Sequence, residues 1–247
     1  MPWHIPGLGA ILVLFAISCS CPQGGSRSGG ITQEAELQIE RIGDNCLPLE
    51  PCNIGREDGD LTVRYLFTAA DCLCTSEPFF IGPDPEVWTV SLNGAELPGA
   101  NGRYFISGTA HEGENVIEMR GSGKIPQVYI KGEIGVFPAE EGGWRVSGAR
   151  PLEPGTLSAQ GLPFYEGEVS YSRTIEVPEK LGKRILRIPA WKGSACTLWV
   201  NGEKLADVTT SPFKMDIGPQ LNPGTNGVEI RIAGSGDFGL MKDFTLK

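Results

Sequence analysis

Few residues in this 247-residue chain could do chemistry, and they are scattered. The two histidines, His4 and His111, exclude a histidine-rich metal centre and leave one candidate for histidine catalysis. His111 sits in Thr109-Ala-His-Glu-Gly113, a solvated turn by default. Glycoside hydrolysis needs two carboxylates ~5–10 Å apart in a cleft. The 30 acidic residues supply many pairs, and no motif singles one out. The seven cysteines are 19, 21, 46, 52, 72, 74 and 196. Cys46 and Cys52 form C-x5-C, and Cys72 and Cys74 form C-x-C. Neither has the C-x2-C spacing usual in zinc sites. With no catalytic signature, the residues read as those of a non-catalytic protein.

Composition narrows the class further. Lys+Arg 21 against Asp+Glu 30 gives a net charge of -9, which argues against a nucleic-acid partner, because such binders need a basic stripe. Hydrophobic residues at 40% are enough for a real core. Gly 34 and Pro 19 fit short strands joined by many turns.

The N-terminus reads as targeting rather than fold. Leu8 to Ile17 (LGAILVLFAI) is too short to span a bilayer, which takes about 20 residues, and matches the apolar core of a signal peptide. Met1 to Gly7 has no Lys or Arg, a departure from that pattern. Ala16-Ile17-Ser18-Cys19 resembles a bacterial lipobox, in which cleavage before Cys19 frees it for lipidation. Ser20 after it favours the outer membrane in a Gram-negative envelope. Residues 20–30 (SCPQGGSRSGG) make a flexible tether. The expectation is an exported, lipid-anchored cell-envelope protein, with plain secretion as the rival. Lipidating Cys19 leaves six cysteines in a compartment that permits disulfides. Cys46 and Cys52 are close enough for a local loop closure. Cys46–Cys72 and Cys52–Cys74 pairings stay open beside it.

No stretch sustains a helical period. Alternating runs instead predict strands at 61–67, 88–92, 116–120, 169–175, 185–188, 197–200 and 228–232. Asn93-Gly94 and Asn201-Gly202 each follow such a strand, and Asn-Gly suits a type I′ hairpin turn. These sites belong to a repeat. The first copy has Val90-Ser-Leu-Asn-Gly-Ala-Glu-Leu97, Tyr104-Phe-Ile106 and Gly113-Glu-Asn-Val-Ile-Glu-Met-Arg120. The second has Leu198-Trp-Val-Asn-Gly-Glu-Lys-Leu205, Phe213-Lys-Met-Asp-Ile217 and Gly224-Thr-Asn-Gly-Val-Glu-Ile-Arg231. Upstream, Val63-x-Tyr65 matches Val169-x-Tyr171. Two tandem β-sandwiches are expected, residues 31–140 and 141–247, after a leader (1–18) and a lipidated tether (19–30). Asn93, Asn115, Asn201 and Asn226 read as turn formers.

The second copy resembles the galactose-binding-like jelly-roll domain that accompanies family 2 glycoside hydrolases. The residues that carry this are Trp199-Val-Asn-Gly202, Pro212-Phe213, Asp216-Ile217 and Gly224-Thr-Asn226. Tyr129-Ile-Lys-Gly-Glu-Ile-Gly-Val136, Gln160-Gly-Leu-Pro-Phe-Tyr-Glu-Gly167 and Tyr171 look like the C-terminal β-sandwich region of α-L-rhamnosidase-like glycoside hydrolases. The resemblance covers roughly residues 40–247. It implies an all-β fold of two tandem jelly rolls. It implies carbohydrate-associated modules rather than hydrolysis, because no room for a catalytic barrel of ~250 residues precedes them. A structural Ca²⁺ is an option in such sandwiches, although no D-x-D-x-D-G loop is present. No other cofactor is expected.

Sugar sites combine an aromatic platform with polar groups. The candidates are Trp191, Trp199, Trp144, Tyr165 and Glu166. Trp199 points away from the face that carries Cys196, Leu198 and Val200. Its other reading is packing beneath a loop or against the other sandwich. Trp191 and Trp144 lie in loop-like runs, as platforms or as loop anchors. Phe164, Tyr165 and Glu166 either line a groove between the sandwiches or form the hinge packing that joins them. The leading reading is a carbohydrate-binding pair with an oligo- or polysaccharide ligand. The alternative is a structural or assembly lipoprotein whose partner is a protein, such as a separate glycoside hydrolase catalytic chain.

Overall fold

The computed structural model describes residues 33–57, 59–70, 73, 79–83, 86–140, 142–178 and 182–247. The leader, the tether, Cys19, Cys72 and Cys74 lie outside the described residues. Within them, all regular structure is β-strand apart from two 3₁₀ turns, Ser158–Gln160 and Gly218–Gln220.

Each expected alternating run is a strand, and each buries one face. Asp60–Ala69 alternates exposed and buried over its length, with Leu61, Val63, Tyr65, Phe67 and Ala69 inside. This strand pairs antiparallel with Gly113–Gly121, which pairs in turn with Trp88–Leu92. Pro51–Glu57, Trp144–Gly148, Ile134–Pro138 and Ala95–Glu96 complete a seven-stranded sheet. A five-stranded sheet covers it, in the order Asn45–Leu49, Val128–Gly132, Phe79–Ile81, Arg103–Phe105, Gly99–Ala100. Leu47, Phe80, Tyr104, Val128 and Ile130 from this sheet share one core with Val63, Tyr65, Val90, Ile117 and Met119.

The later half repeats the plan. Glu166–Val177 pairs with Gly224–Ser235, and Gly224–Ser235 with Ala195–Val200. Their inner residues Val169, Tyr171, Leu198, Val200, Ile230 and Ile232 form a second core with Leu186, Ile188, Phe244 and Leu246. Residues 33–42 were expected in the first sandwich. Their strands Gln33–Glu34 and Gln38–Ile42 instead pair with Glu166–Val177, at the edge of the second core's sheet. Leu37 and Ile39 pack there, because the chain must cover that edge before it enters the first core.

The repeat holds at the level of single atoms. Asn93 and Asn201 are the left-handed turn residues expected, with φ of 52° and 53°, followed by Gly94 and Gly202 at 81° and 80°. Asn115 and Asn226, read from sequence as turn formers, are buried strand residues at 0% and 1% exposure. Asn93 Nδ2 donates to Asn115 Oδ1 at 2.9 Å, and Asn201 Nδ2 to Asn226 Oδ1 at 3.0 Å. The backbone N–H groups of His111 and Asn222 donate to the same two oxygens at 3.0 and 2.8 Å. Asn115 Nδ2 donates to the carbonyls of His111 and Gly113, and Asn226 Nδ2 to those of Asn222 and Gly224. Each hub ties an Asn-Gly hairpin to the loop entering the long strand beside it. A polar group is tolerated in the core because both of its ends are satisfied.

The cysteines depart from one expectation. Cys46, Cys52 and Cys196 are free, so Cys46 and Cys52 close no local loop. They lie on strands of different sheets, and Cys52 Sγ donates to the Arg64 carbonyl instead.

Asn226→Ala strands two carbonyls and one N–H inside the protein. At about 1–3 kcal/mol for each buried orphan, shared with water where the loop relaxes, it is expected to cost about 3 kcal/mol in urea unfolding. Exposed Lys214→Ala is expected to stay within about 0.5 kcal/mol. An unchanged midpoint for Asn226→Ala would refute the hub role.

Candidate functional site

The groove between the two halves gathers part of the expected set. One wall is the outer face of the five-stranded sheet, with Cys46, Pro48, Ile81, Tyr129 and Lys131. Alternation decides this. Val128, Ile130 and Leu47 point into the core, so Tyr129, Lys131 and Cys46 must point out. The other wall comes from the second half, with Pro163, Phe164, Glu166, Ser235 and Gly236. Asp44 also lines it, and the cavity is ≈ 760 Å³.

Phe164 fixes this geometry. It packs partly against the first core, although the chain around it belongs to the approach to the second. Trp144 meets it edge-on, with ring centroids 4.8 Å apart and planes at 76°. Trp144 is 38% exposed, so one aromatic surface beside the groove stays open. Glu166 is exposed on the groove wall, opposite Ser235 in the sheet.

The other expected residues lie elsewhere. Tyr165 is fully buried and offers no surface to a ligand. Its hydroxyl donates between the carbonyls of Ile42 (2.9 Å) and Glu168 (2.8 Å), and its ring stacks on Phe238. Burial pushes its phenol pKa up despite those two bonds. Tyr165 is thus an anchor for the edge strand Gln38–Ile42. The alternation of the strand that starts at Glu166 turns neighbouring side chains to opposite sides, which separates Tyr165 from Glu166. Trp191 packs against the second core and donates Nε1–H to the Thr210 carbonyl at 3.4 Å. Trp191 was expected in a loop; it instead opens the short strand Trp191–Lys192, which pairs with Gly239–Leu240, and its ring is half-buried.

Trp199 does stand on the outer face of the second sheet, away from Cys196 and Leu198. Its ring, however, is already engaged. The Arg231 guanidinium lies 4.2 Å from the ring centroid, and Nε1 donates to Thr197 Oγ1 at 2.9 Å. Arg231 is held by Glu229, which takes its Nε–H at 2.7 Å and an Nη2–H at 3.1 Å. Ser170 Oγ donates to the same carboxylate at 2.6 Å. The first copy carries the same pair at matching positions: Arg120 Nε–H donates to Glu118 at 2.9 Å, and Arg64 supplies a second bond at 2.6 Å. Ser91 stands there in place of Trp199, one strand over. These bonds hold both carboxyls below their usual range, with the arginine bond the leading cause at each. Among the described residues no cluster of three or more His, Cys, Asp or Glu could hold a metal ion. No described helix is long and apolar enough to cross a membrane.

Sequence reasoning found Phe164 and Glu166 but passed over Tyr129 and Lys131 as groove residues. The x-Tyr-x-Lys alternation of Val128–Lys131 was the available signal. Nothing local marks Asp44 or Cys46, whose place depends on the fold.

No protein-family model matches the chain, and no curated protein does. Among solved structures it is similar to the Streptomyces avermitilis alpha-L-rhamnosidase complexed with L-rhamnose, at 14% identity and a TM-score of 0.28, over 81% of this chain and 25% of that one. It is similar also to a rhamnosidase from Novosphingobium sp. PP1Y, at 17% identity and 0.30, over 81% and 21%. The Pleurotus ostreatus lectin in its apo form matches at 12% identity and 0.27, over 87% and 80%. The chain spans about a quarter of the length of the two rhamnosidases. Likeness this slight assigns neither family nor activity.

The Glu229 contacts predict a pH dependence. The folded state bonds the carboxylate form, so its folded pKa lies below the unfolded one. The resulting stability is fully present above the unfolded value of ~4.3 and is lost as pH falls through the lower folded value. Glu229→Gln should therefore unfold at lower urea than the unaltered protein at pH ~7, with the gap narrowing as the pH is lowered through the carboxylate range. A gap that persists in acid would mean the loss is one of packing.

Proposed function

We propose that this protein is a non-catalytic carbohydrate-binding protein whose ligand lies in the groove between its two halves. The observation that carries the reading is the pairing of Tyr129 on one wall with Phe164 on the other, with Lys131 and Glu166 beside them. Aromatic faces take the C–H surface of a sugar ring, and the charged groups take its hydroxyls. The motif resemblance to sugar-binding jelly rolls supports the same reading. The groove is open along its length, as suits a chain-like ligand.

Screening against a broad glycan array, followed by titration of the best ligand, tests it. Phe164→Ala and Tyr129→Ala are each expected to weaken binding about tenfold, as the loss of roughly 1.4 kcal/mol of aromatic contact would do. Trp191→Ala and Trp199→Ala are expected to keep the affinity. Loss of binding in the tryptophan variants alone would move the site to the other sheet. A blank array with folded protein would end the carbohydrate reading.

The proposal includes export and anchoring through Cys19. In a bacterial host, Cys19→Ala should remove the lipid mass from the mature protein and shift it from the membrane to the soluble fraction. An unchanged mass and location would discard the anchor.

A further inference from the structure

The outer face that forms one groove wall continues past the groove, and its chemistry changes there. Two rungs cross the five-stranded sheet. One runs Cys46, Lys131, Phe79, Phe105, and the other runs Pro48, Tyr129, Ile81, Arg103. At ~4.8 Å between strands, each rung extends ~14 Å, which suits a short oligosaccharide better than a single ring.

Arg103 is the unusual residue on this face. Its guanidinium lies 3.5 Å from the centre of the Phe79 ring and 5.0 Å from that of Phe105. A guanidinium that stacks on a ring through its flat face keeps its N–H edge, a fork matched to a carboxylate, available. Among the described residues no carboxylate pairs with Arg103 or with Lys131. Arg64, Arg120 and Arg231, on outer sheet faces elsewhere, meet glutamates. Phe105 is 53% exposed, the most exposed aromatic side chain among the described residues. Arg103 is exposed, so its charge is open to a ligand beside an open ring.

We infer that this face binds a carboxylate-bearing sugar chain, a uronate-containing glycan, running from the groove across to Arg103 and Phe105. The inference rests on the carbohydrate reading of the groove and names the class of sugar. Tyr129 and Phe105 stack on sugar rings, while Lys131 and Arg103 take the carboxylates. The two cations stand two strands and one two-residue step apart, ~12 Å between backbones, so they meet carboxylates on different rings of one chain. The protein is otherwise acidic, at -9, so long-range attraction does not bring the ligand in. Recognition depends on these two groups at short range.

Calorimetric titration of the protein with trigalacturonic acid, and separately with neutral galactotriose, tests the assignment. The acid is expected to bind at least tenfold more tightly, with affinity falling as salt rises. Arg103→Gln should remove most of that preference while leaving the neutral ligand unchanged, and Lys131→Gln should weaken the acid more than the neutral trimer. Arg103→Lys should recover little, because an ammonium lacks the fork. Both sites are on the surface, and thermal melts will show that the variants fold. Equal affinity for acid and neutral trimers, or a preference untouched by both glutamine variants, overturns the uronate inference while the groove proposal stands. Binding confined to sulfated chains in a parallel arm overturns it as well. Absence of binding to every glycan by folded protein removes both.

Discussion

Gly161 is the residue on which the arrangement of the two halves turns. It has a φ of 88°, and a side chain there would place its Cβ 2.4 Å from the Phe137 ring. Only glycine allows the chain to leave the Ser158–Gln160 turn at this angle and lie this close to the first half. Its carbonyl then accepts two bonds from that half, from the Val136 N–H at 2.7 Å and Asn45 Nδ2 at 3.0 Å. Asn45 also donates to the Ile134 carbonyl at 3.0 Å, and so does Arg41, at 3.2 Å. Tyr165 ties the end of strand Gln38–Ile42, just before Asn45, into the second half. Phe164 falls between these contacts, so it is carried onto the first core while Glu166 starts a long interior strand of the second sheet. The groove is a consequence of that short, tightly bonded crossing.

Within each half, the buried asparagine hub does comparable work. It lets a two-residue hairpin, a loop and a long strand meet without leaving backbone groups unpaired. Both copies keep this arrangement bond for bond, together with the Glu–Arg pair on the outer face. What differs is what stands beside that pair: Ser91 in one copy and Trp199 in the other. The shared parts are those that satisfy buried or paired polar groups, where a change leaves something unbonded. The exposed face carries no such penalty and is free to vary.

Much of the fold was legible. The alternating runs from Leu61 to Phe67 and from Val228 to Ile232 needed a buried face whatever their neighbours, and they became the central strands. The Asn-Gly pairs announced their turns because few other dipeptides take that backbone cheaply. Asn115 and Asn226 were read as turn residues, since a buried asparagine and a turn asparagine look alike until the carbonyls around it are placed. Strand Gln38–Ile42 was assigned to the nearer core, and its actual partner lies over 120 residues along the chain. Edge strands bury little and so leave a weak periodic signal.

The site divides along the same line. Sequence alone established an all-β chain built on a repeat, with no catalytic motif, and drew attention to the Phe164 to Glu166 segment. These follow from local rules: alternation, turn chemistry and the presence or absence of reactive residue types. Tertiary structure alone decided which aromatic side chains stay open. It buried Tyr165, covered Trp199 with Arg231 and set Tyr129 opposite Phe164. Whether a ring faces solvent, a core or a cation depends on contacts between residues far apart in the chain, and no spacing in the sequence encodes those.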